Sequence, residues 1–366
     1  MYNFSAGPAQ LPKEILNKAK EDLLDWHGSG MSVMEMPFTS DEYKAISERA
    51  HNDLRKLINL PDDYHILFLQ GGAYAHFALV AMNLLGQKQT ADYIQTGHWS
   101  TRALNEARRY GDINIAASSV SSGFNRIPPY EQWQLNPEAA YCHITTNETA
   151  NGVQFHDIPK LPIPLVADVT SDFLTRQLDV SQFGLIYASA QKNIGPTGLT
   201  IVIIHNTLLN QAMEMVPTVF NYGRQASNNG RVNTPPTYSV YIAGLMFSWL
   251  LEQGGIKAIE QANQHKAQRL YEFIDNNSFY QCSVDPSARS IVNVCFELTD
   301  MSRTEDFLSE ASKKGFVNLK GHGIRGGVRV SLYNAMPIEG VDALVAFMKT
   351  YSASQSQTRL KKSFHG

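Results

Sequence analysis

Lys192 stands in the run Ser189-Ala190-Gln191-Lys192-Asn193-Ile194-Gly195-Pro196, directly after the apolar stretch Leu185-Ile186-Tyr187-Ala188. A lysine at the end of a buried strand, among small residues and glycine turns, is kept from bulk water. Its ammonium is costly there, so its pKa falls and the free amine becomes a nucleophile able to form an imine. For this motif taken alone, a lysine that snorkels to the surface is the bland alternative. A second strand end bears on the choice. Pro164-Leu165-Val166-Ala167-Asp168 closes on a carboxylate 24 positions before Lys192. A protonated pyridine nitrogen needs an anionic partner to act as an electron sink, and a carboxylate at a strand's edge can supply it. By itself Asp168 reads as a helix cap or a loop acceptor; paired with Lys192 it points to a pyridine cofactor.

Such a cofactor has to be positioned, and Gln70-Gly71-Gly72-Ala73-Tyr74 offers one means. It follows the apolar run His65–Leu69 and precedes the helical pattern Ala75 to Leu85, so backbone N–H groups and a helix dipole are available to an anionic phosphate. Many Gly-Gly pairs before helices are only tight turns. No GxGxxG accompanies this one and no GxxxxGK[ST] occurs in the chain, so dinucleotide and P-loop readings have no support.

The elements that carry these motifs follow from periodicity. Strands are predicted near 91–95, 141–145, 164–168, 184–188 and 199–205, alternating with helices, which implies a mostly parallel sheet covered on both faces. Apolar spacing predicts a surface helix over Leu11 to Trp26 after an extended arm, and a second over Asp41 to Ile58 opened by Ser40 as N-cap. After Gly254-Gly255 the texture changes to a long helix, Ile256 to Asn276, and then to alternating stretches at 290–297 and 328–333, as in a smaller α+β unit. The 366 residues exceed what one core comfortably holds, so two domains are expected. The polar, basic segment 352–366 reads as a loose terminus.

Composition narrows the function. A net charge of -3 with scattered Lys and Arg gives no stripe for nucleic acid. The opening residues lack a basic and apolar leader pattern, and no run approaches the roughly 18 apolar residues of a membrane span, so a cytoplasmic protein is expected. Cys142, Cys282 and Cys295 are odd in number, far apart and without metal-ligand spacing; they read as reduced, buried thiols, and no metal site is expected.

Eight segments, in order, carry a resemblance: NFSAGPAQLP at the start, MSVME at 31–35, LFLQGGA at 67–73, TGHWS at 96–100, NETANG at 147–152, ASAQKNIGPTG at 188–198, NTPPT at 233–237 and GGVRVSLYNAMP at 326–337. Together they resemble the phosphoserine aminotransferase family over nearly the whole chain. The resemblance implies a fold-type I pyridoxal-phosphate (PLP) transferase. Its large α/β domain, residues 12–258, would hold a mostly parallel seven-stranded sheet, and residues 1–11 and 259–366 would form the small α+β domain. It implies a homodimer with shared active sites. Lys192 matches the Schiff-base lysine and Asp168 the partner of the pyridine nitrogen. Trp99 matches the indole that stacks on the cofactor, though its type alone also suits a core aromatic. Thr149 matches the hydroxyl near the 3′-oxygen, and equally suits a turn. The cofactor phosphate would be held by the backbone of Ala73 and Tyr74, by Gln191, and by Asn233 and Thr234 of the partner subunit. Arg329 matches the arginine that receives the substrate's α-carboxylate.

The match departs from the family at the substrate's side chain. Met36-Pro37-Phe38-Thr39-Ser40 stands where the family usually has a His-Arg pair after SVME, and Tyr74 stands where some members have an arginine. The usual Gly-His-Arg near the C-terminus is Gly321-His322-Gly323, with Arg325 two positions on. The side-chain subsite is therefore expected to draw on His322 and Arg325. By resemblance the reaction passes an amino group from L-glutamate to 3-phosphohydroxypyruvate in serine biosynthesis, with pyridoxine biosynthesis as a further role in some bacterial members. The alternatives are an aminotransferase with a different, unphosphorylated oxo-acid and a non-catalytic scaffold of the same fold.

Overall fold

The computed structural model describes residues 1–363, with side chains to Gln355. Its first elements are β1 (Tyr2–Asn3), α1 (Lys13–Glu21), α2 (Asp41–Leu57), β2 (Tyr64–Leu69), α3 (Gly72–Leu84), β3 (Thr90–Gln95), α4 (His98–Ala107) and β4 (Asp112–Ser118). Then follow β5 (Cys142–Thr145), the short pair β6 (Asn147–Glu148) and β7 (Val153–Gln154), β8 (Leu165–Asp168), β9 (Leu185–Ser189) and β10 (Thr200–His205). Seven of these strands form one sheet in the order β2-β10-β9-β8-β5-β3-β4. The neighbours from β9 to β4 run parallel, whereas β10 is antiparallel to both β9 and β2. Strands β8 and β9 are buried at every position, as expected of a sheet covered on both faces.

Beyond the sheet lie α5 (Tyr222–Ser227), α6 (Thr237–Glu252), α7 (Gly255–Asp275), β11 (Tyr280–Gln281), β12 (Asn293–Leu298), α8 (Thr304–Lys313), β13 (Phe316–Val317), β14 (Val328–Ser331) and α9 (Ile338–Ser363). Strands β11, β12 and β14 make a small antiparallel sheet. A core separate from those of the large sheet gathers Phe4 with Leu270, Val294, Phe307, Val330 and Leu344. β1 pairs in parallel with β13, which carries the N-terminal arm onto this second core. Helix α7 serves both cores: Ile256 and Ile259 pack with the large sheet, and Ala267, Leu270 and Ile274 pack with the small one. Between them Lys266 is buried and its Nζ donates to the carbonyls of Leu332, Tyr333 and Met336. Burial brings its pKa down to about 7.

Local chemistry explains most boundaries. Ser40 Oγ accepts from the Tyr43 amide (3.2 Å), so α2 starts where its N-cap was expected. α1 is shorter than the predicted Leu11 to Trp26. Leu23 and Leu24 fit the helical spacing, yet both are exposed. The chain instead turns at Asp22, whose buried carboxylate accepts from the Tyr241 hydroxyl (2.6 Å). The segment from 352 on was expected to be loose, but its backbone continues α9 to Ser363; residues 364–366 lie outside the described residues. Cys142 and Cys295 are buried as expected, while Cys282 is only partly so; all three are free thiols. Among the described residues, no helix is long and apolar enough to cross a membrane.

Candidate active site

Parallel strands deliver their C-terminal ends to one edge of a sheet, and ligands collect there. β8 ends on Asp168 and its neighbour β9 ends three residues before Lys192, with Asp168 opposite Tyr187 in register. Lys192 sits on a turn that is fixed on both sides. Asn193 Nδ2 donates to the Phe173 carbonyl (2.9 Å), and Asn193 Oδ1 accepts from the Asn334 amide (3.1 Å). The aliphatic stem of Lys192 lies against Gly7, where a Cβ would sit 3.3 Å from Lys192 Cγ and where φ is +145°. Glycine is therefore favoured at position 7 by conformation, and a Cβ there would also crowd the lysine stem. The Nζ rests 5.5 Å from the centre of the Trp99 ring. Burial lowers its pKa to about 8; the Asp168 carboxylate resists this and the Arg329 charge adds to it. Asp168 is buried, and its Oδ1 accepts from the Thr170 amide (2.9 Å). Burial pushes its carboxyl upward, against the Thr170 hydroxyl and the Lys192 charge.

Trp99 is placed by a residue that sequence reasoning did not single out. Buried Glu148 accepts from the amides of Trp99 (2.8 Å, Oε2) and Ser100 (2.8 Å, Oε1), so its carboxylate satisfies the first turn of α4. A Cβ at Gly97 would meet that carboxyl group at 2.5 Å, so only glycine admits the contact. Trp99 Nε1 in turn donates to Thr149 Oγ1 (2.8 Å), and the Thr149 carbonyl accepts from Arg329 Nη1 (3.2 Å). Glu148 lies within NETANG, but its partners are about 50 positions away, and no local pattern reveals that pairing.

The glycine turn behaves as its sequence suggested. Gly71 and Gly72 have φ of +104° and +69° and open α3, whose first N–H groups have no partner within the helix. Ala73 and Tyr74 lie in that first turn. A Cβ at Gly72 would stand 3.5 Å from Ser189 Oγ, and Ser189 Oγ donates to Gln191 Oε1, so Ser189 joins the expected Gln191 beside the turn. Asn233 and Thr234 lie at Gln70 of their own chain: Gln70 Nε2 donates to the Thr234 carbonyl (3.2 Å) and Asn233 Nδ2 to Gln70 Oε1 (3.4 Å).

On the opposite side, Arg329 comes from β14, and its Nε is buried without a hydrogen-bond partner among the described residues, a donor left for a ligand. His322 lies 6.2 Å from the Trp99 ring and 4.8 Å from the His98 ring. Arg325 Nη2 donates to Ser283 Oγ. A left-handed glycine turn with unpaired amides, a buried carboxylate, an aromatic face and a lysine of lowered pKa fit pyridoxal phosphate: phosphate at the turn, ring nitrogen at Asp168, ring face on Trp99 and amine from Lys192.

The fold and site are those of an aminotransferase that uses this cofactor, and the chain belongs to the class-V aminotransferase family, whose description matches residues 1–344. Its relatives narrow the class to phosphoserine aminotransferases. That of Laribacter hongkongensis is 54% identical over 353 residues, covering 96% of this chain and 98% of its own, and that of Nitrosomonas europaea is 51% identical over 365 residues, covering 97% and 99%. Among solved structures, the enzyme from Bacillus circulans subsp. alkalophilus superposes with a TM-score of 0.94 at 42% identity, covering 96% of this chain and 98% of its own. The PLP-bound enzyme from Trichomonas vaginalis gives 0.91 at 36%, covering 95% and 99%.

Proposed function

We propose that this chain is a phosphoserine aminotransferase that converts 3-phosphohydroxypyruvate and L-glutamate to O-phospho-L-serine and 2-oxoglutarate, as a cytoplasmic homodimer serving serine biosynthesis. The observation that carries this reading is the convergence of Lys192 and Asp168 from adjacent strand ends below Trp99, with the unpaired Arg329 Nε across from them. Pyridoxal phosphate, when bound, supplies a carbonyl for the incoming amine and an electron sink for the substrate's α-carbon. Arg329 receives the α-carboxylate through charge-assisted hydrogen bonds. Lys192, freed by the donor amine, takes the α-proton, and its lowered pKa keeps part of it unprotonated at neutral pH. Asp168 holds the ring nitrogen in its protonated form. Trp99, fixed by Glu148 and Thr149, would orient the cofactor ring from one face.

A second reading, an unphosphorylated acceptor, is favoured by Phe38 and Thr39 in place of a cationic pair. The purified enzyme, assayed with glutamate against a panel of oxo-acids, is expected to turn over 3-phosphohydroxypyruvate with the highest kcat/KM. A higher value for an unphosphorylated acid would select the second reading. The double replacement Phe38→His with Thr39→Arg is expected to lower KM for the phosphorylated acceptor about tenfold, because one charge-assisted hydrogen bond is worth roughly 1.5–3 kcal/mol and binding is gained equally in ground and transition states. An unchanged KM would show that residues 38 and 39 do not reach the acceptor.

Assembly is testable separately. If Asn233 and Thr234 also serve the partner's cofactor phosphate, the active unit is a C2 dimer with two shared sites. Light scattering under assay conditions is expected to give twice the chain mass, and dilution into monomer is expected to release cofactor. A fully active monomer rules out the shared site.

A further inference from the structure

We propose that Arg102 sets the specificity for the substrate's distal anion, acting with His98 and His322 of the same subunit while Tyr74 holds its guanidinium in place. The inference rests on the proposed phosphoserine reading and names the residue that replaces the cations missing at 38, 39 and 323. Helical spacing puts His98 and Arg102, four residues apart on α4, on one face of the turn that carries Trp99. His98 meets His322 at 4.8 Å between ring centres, and His322 meets Trp99 at 6.2 Å, so the three rings line one side of the cleft. Arg102 Nη1 donates to the Tyr74 hydroxyl (2.9 Å), and the guanidinium lies 5.8 Å from the centre of the Tyr74 ring. Tyr74 lies in the first turn of α3, at the position where some relatives carry an arginine of their own. Here the tyrosine acts as a prop and the charge is delivered from α4.

The partners of Arg102 and its effect on the two histidines support this placement. Among the described residues Arg102 pairs with no carboxylate, so its charge remains available to a ligand. Arg325 donates instead to Ser283 Oγ. The fields at His322 point the same way: burial lowers its pKa first, and the charges of Arg329 and then Arg102 lower it further, with no contribution resolved from Arg325. His98 is lowered likewise by burial, then by His322 and Arg102. His322 thus feels both the arginine for the α-carboxylate and Arg102. On this assignment a short substrate with an anion at each end, such as a three-carbon acid bearing a terminal phosphate or a dicarboxylic amino acid, places its carboxylate at Arg329 and its distal anion toward Arg102.

The test uses holoenzyme and two unreactive acids that differ by the phosphate, 3-phosphoglycerate and glycerate, titrated by calorimetry. Wild-type enzyme is expected to bind 3-phosphoglycerate more tightly than glycerate. Arg102→Ala is expected to weaken 3-phosphoglycerate about tenfold or more and to leave glycerate unchanged, while the visible absorbance of bound cofactor is retained. Arg102→Lys, which keeps the charge but not the fork, is expected to recover part of the loss. If wild-type enzyme binds both acids equally, the phosphorylated substrate itself is wrong and this assignment falls with it. If wild-type enzyme discriminates and Arg102→Ala discriminates as well, or if Arg325→Ala alone removes the preference, the phosphoserine reading stands and the assignment to Arg102 is overturned.

Discussion

Lys192→Ala is expected to abolish transamination while the fold survives. Among the described residues no other amine stands at this strand end; Lys266, the other described lysine with a strongly lowered pKa, is locked on three carbonyls in the wall between the two cores. On the proposed reading the substitution removes the nucleophile that holds the cofactor and the base that takes the α-proton. General acid–base catalysis alone contributes roughly 10²–10⁴-fold, so the loss is expected to reach at least that range. The turn itself is held by Asn193, not by the lysine, so circular dichroism and the thermal midpoint are expected to stay close to wild type. Stopped-flow mixing of the cofactor-loaded variant with glutamate checks the result, and a half-reaction at the wild-type rate would remove Lys192 from the mechanism.

Asp168→Asn is expected to bind cofactor, yet to slow the half-reaction with glutamate by about 10²–10³-fold, the range seen when one preorganised electrostatic partner is removed from a reacting centre. The amide keeps an oxygen for the Thr170 N–H, and a buried carboxylate is exchanged for a neutral group, so the fold has no reason to suffer. What is lost is the negative charge that keeps a ring nitrogen protonated. Because α-proton removal is the step that suffers, α-deuterated glutamate is expected to give a larger isotope effect in the variant than in wild type. Unchanged turnover would reduce Asp168 to a cap on Thr170.

Both residues were legible in the sequence because their signal is local: an apolar strand that stops on a polar group. The same logic found β2, β3, β5, β8, β9 and β10. It missed β4, an edge strand whose Asp112 and Asn114 leave it without an apolar run. It also could not give the direction of β10, since an apolar stretch reads alike both ways and only pairing with β9 and β2 shows it to be antiparallel. Within the site, Lys192, Asp168 and the glycine turn carry their own context, whereas Trp99 is nominated only through the family resemblance. Glu148, Thr170, Ser189 and Gly7 act through partners supplied by other strands and loops, so their roles became visible only with the fold. The substrate subsite divides in the same way. His322 stands near Trp99, whereas Arg325, nominated by its nearness in sequence, is tied to Ser283.

Helix α7 has one consequence for how the chain acquires this structure. Its first half completes the packing of the large sheet and its second half forms a wall of the small one, while residues 2–4 dock beside β13 near the other end of the chain. Neither core is a segment that can be cut out whole: the large one would lose the rest of a continuous helix, and the small one would lose Phe4. Nor can the catalytic lysine be positioned early, since Asn193 is fastened to Asn334 and Gly7 packs on the lysine stem. The turn that carries Lys192 is therefore expected to gain its last contacts only after residues beyond β14 have left the ribosome, since Asn334 follows that strand.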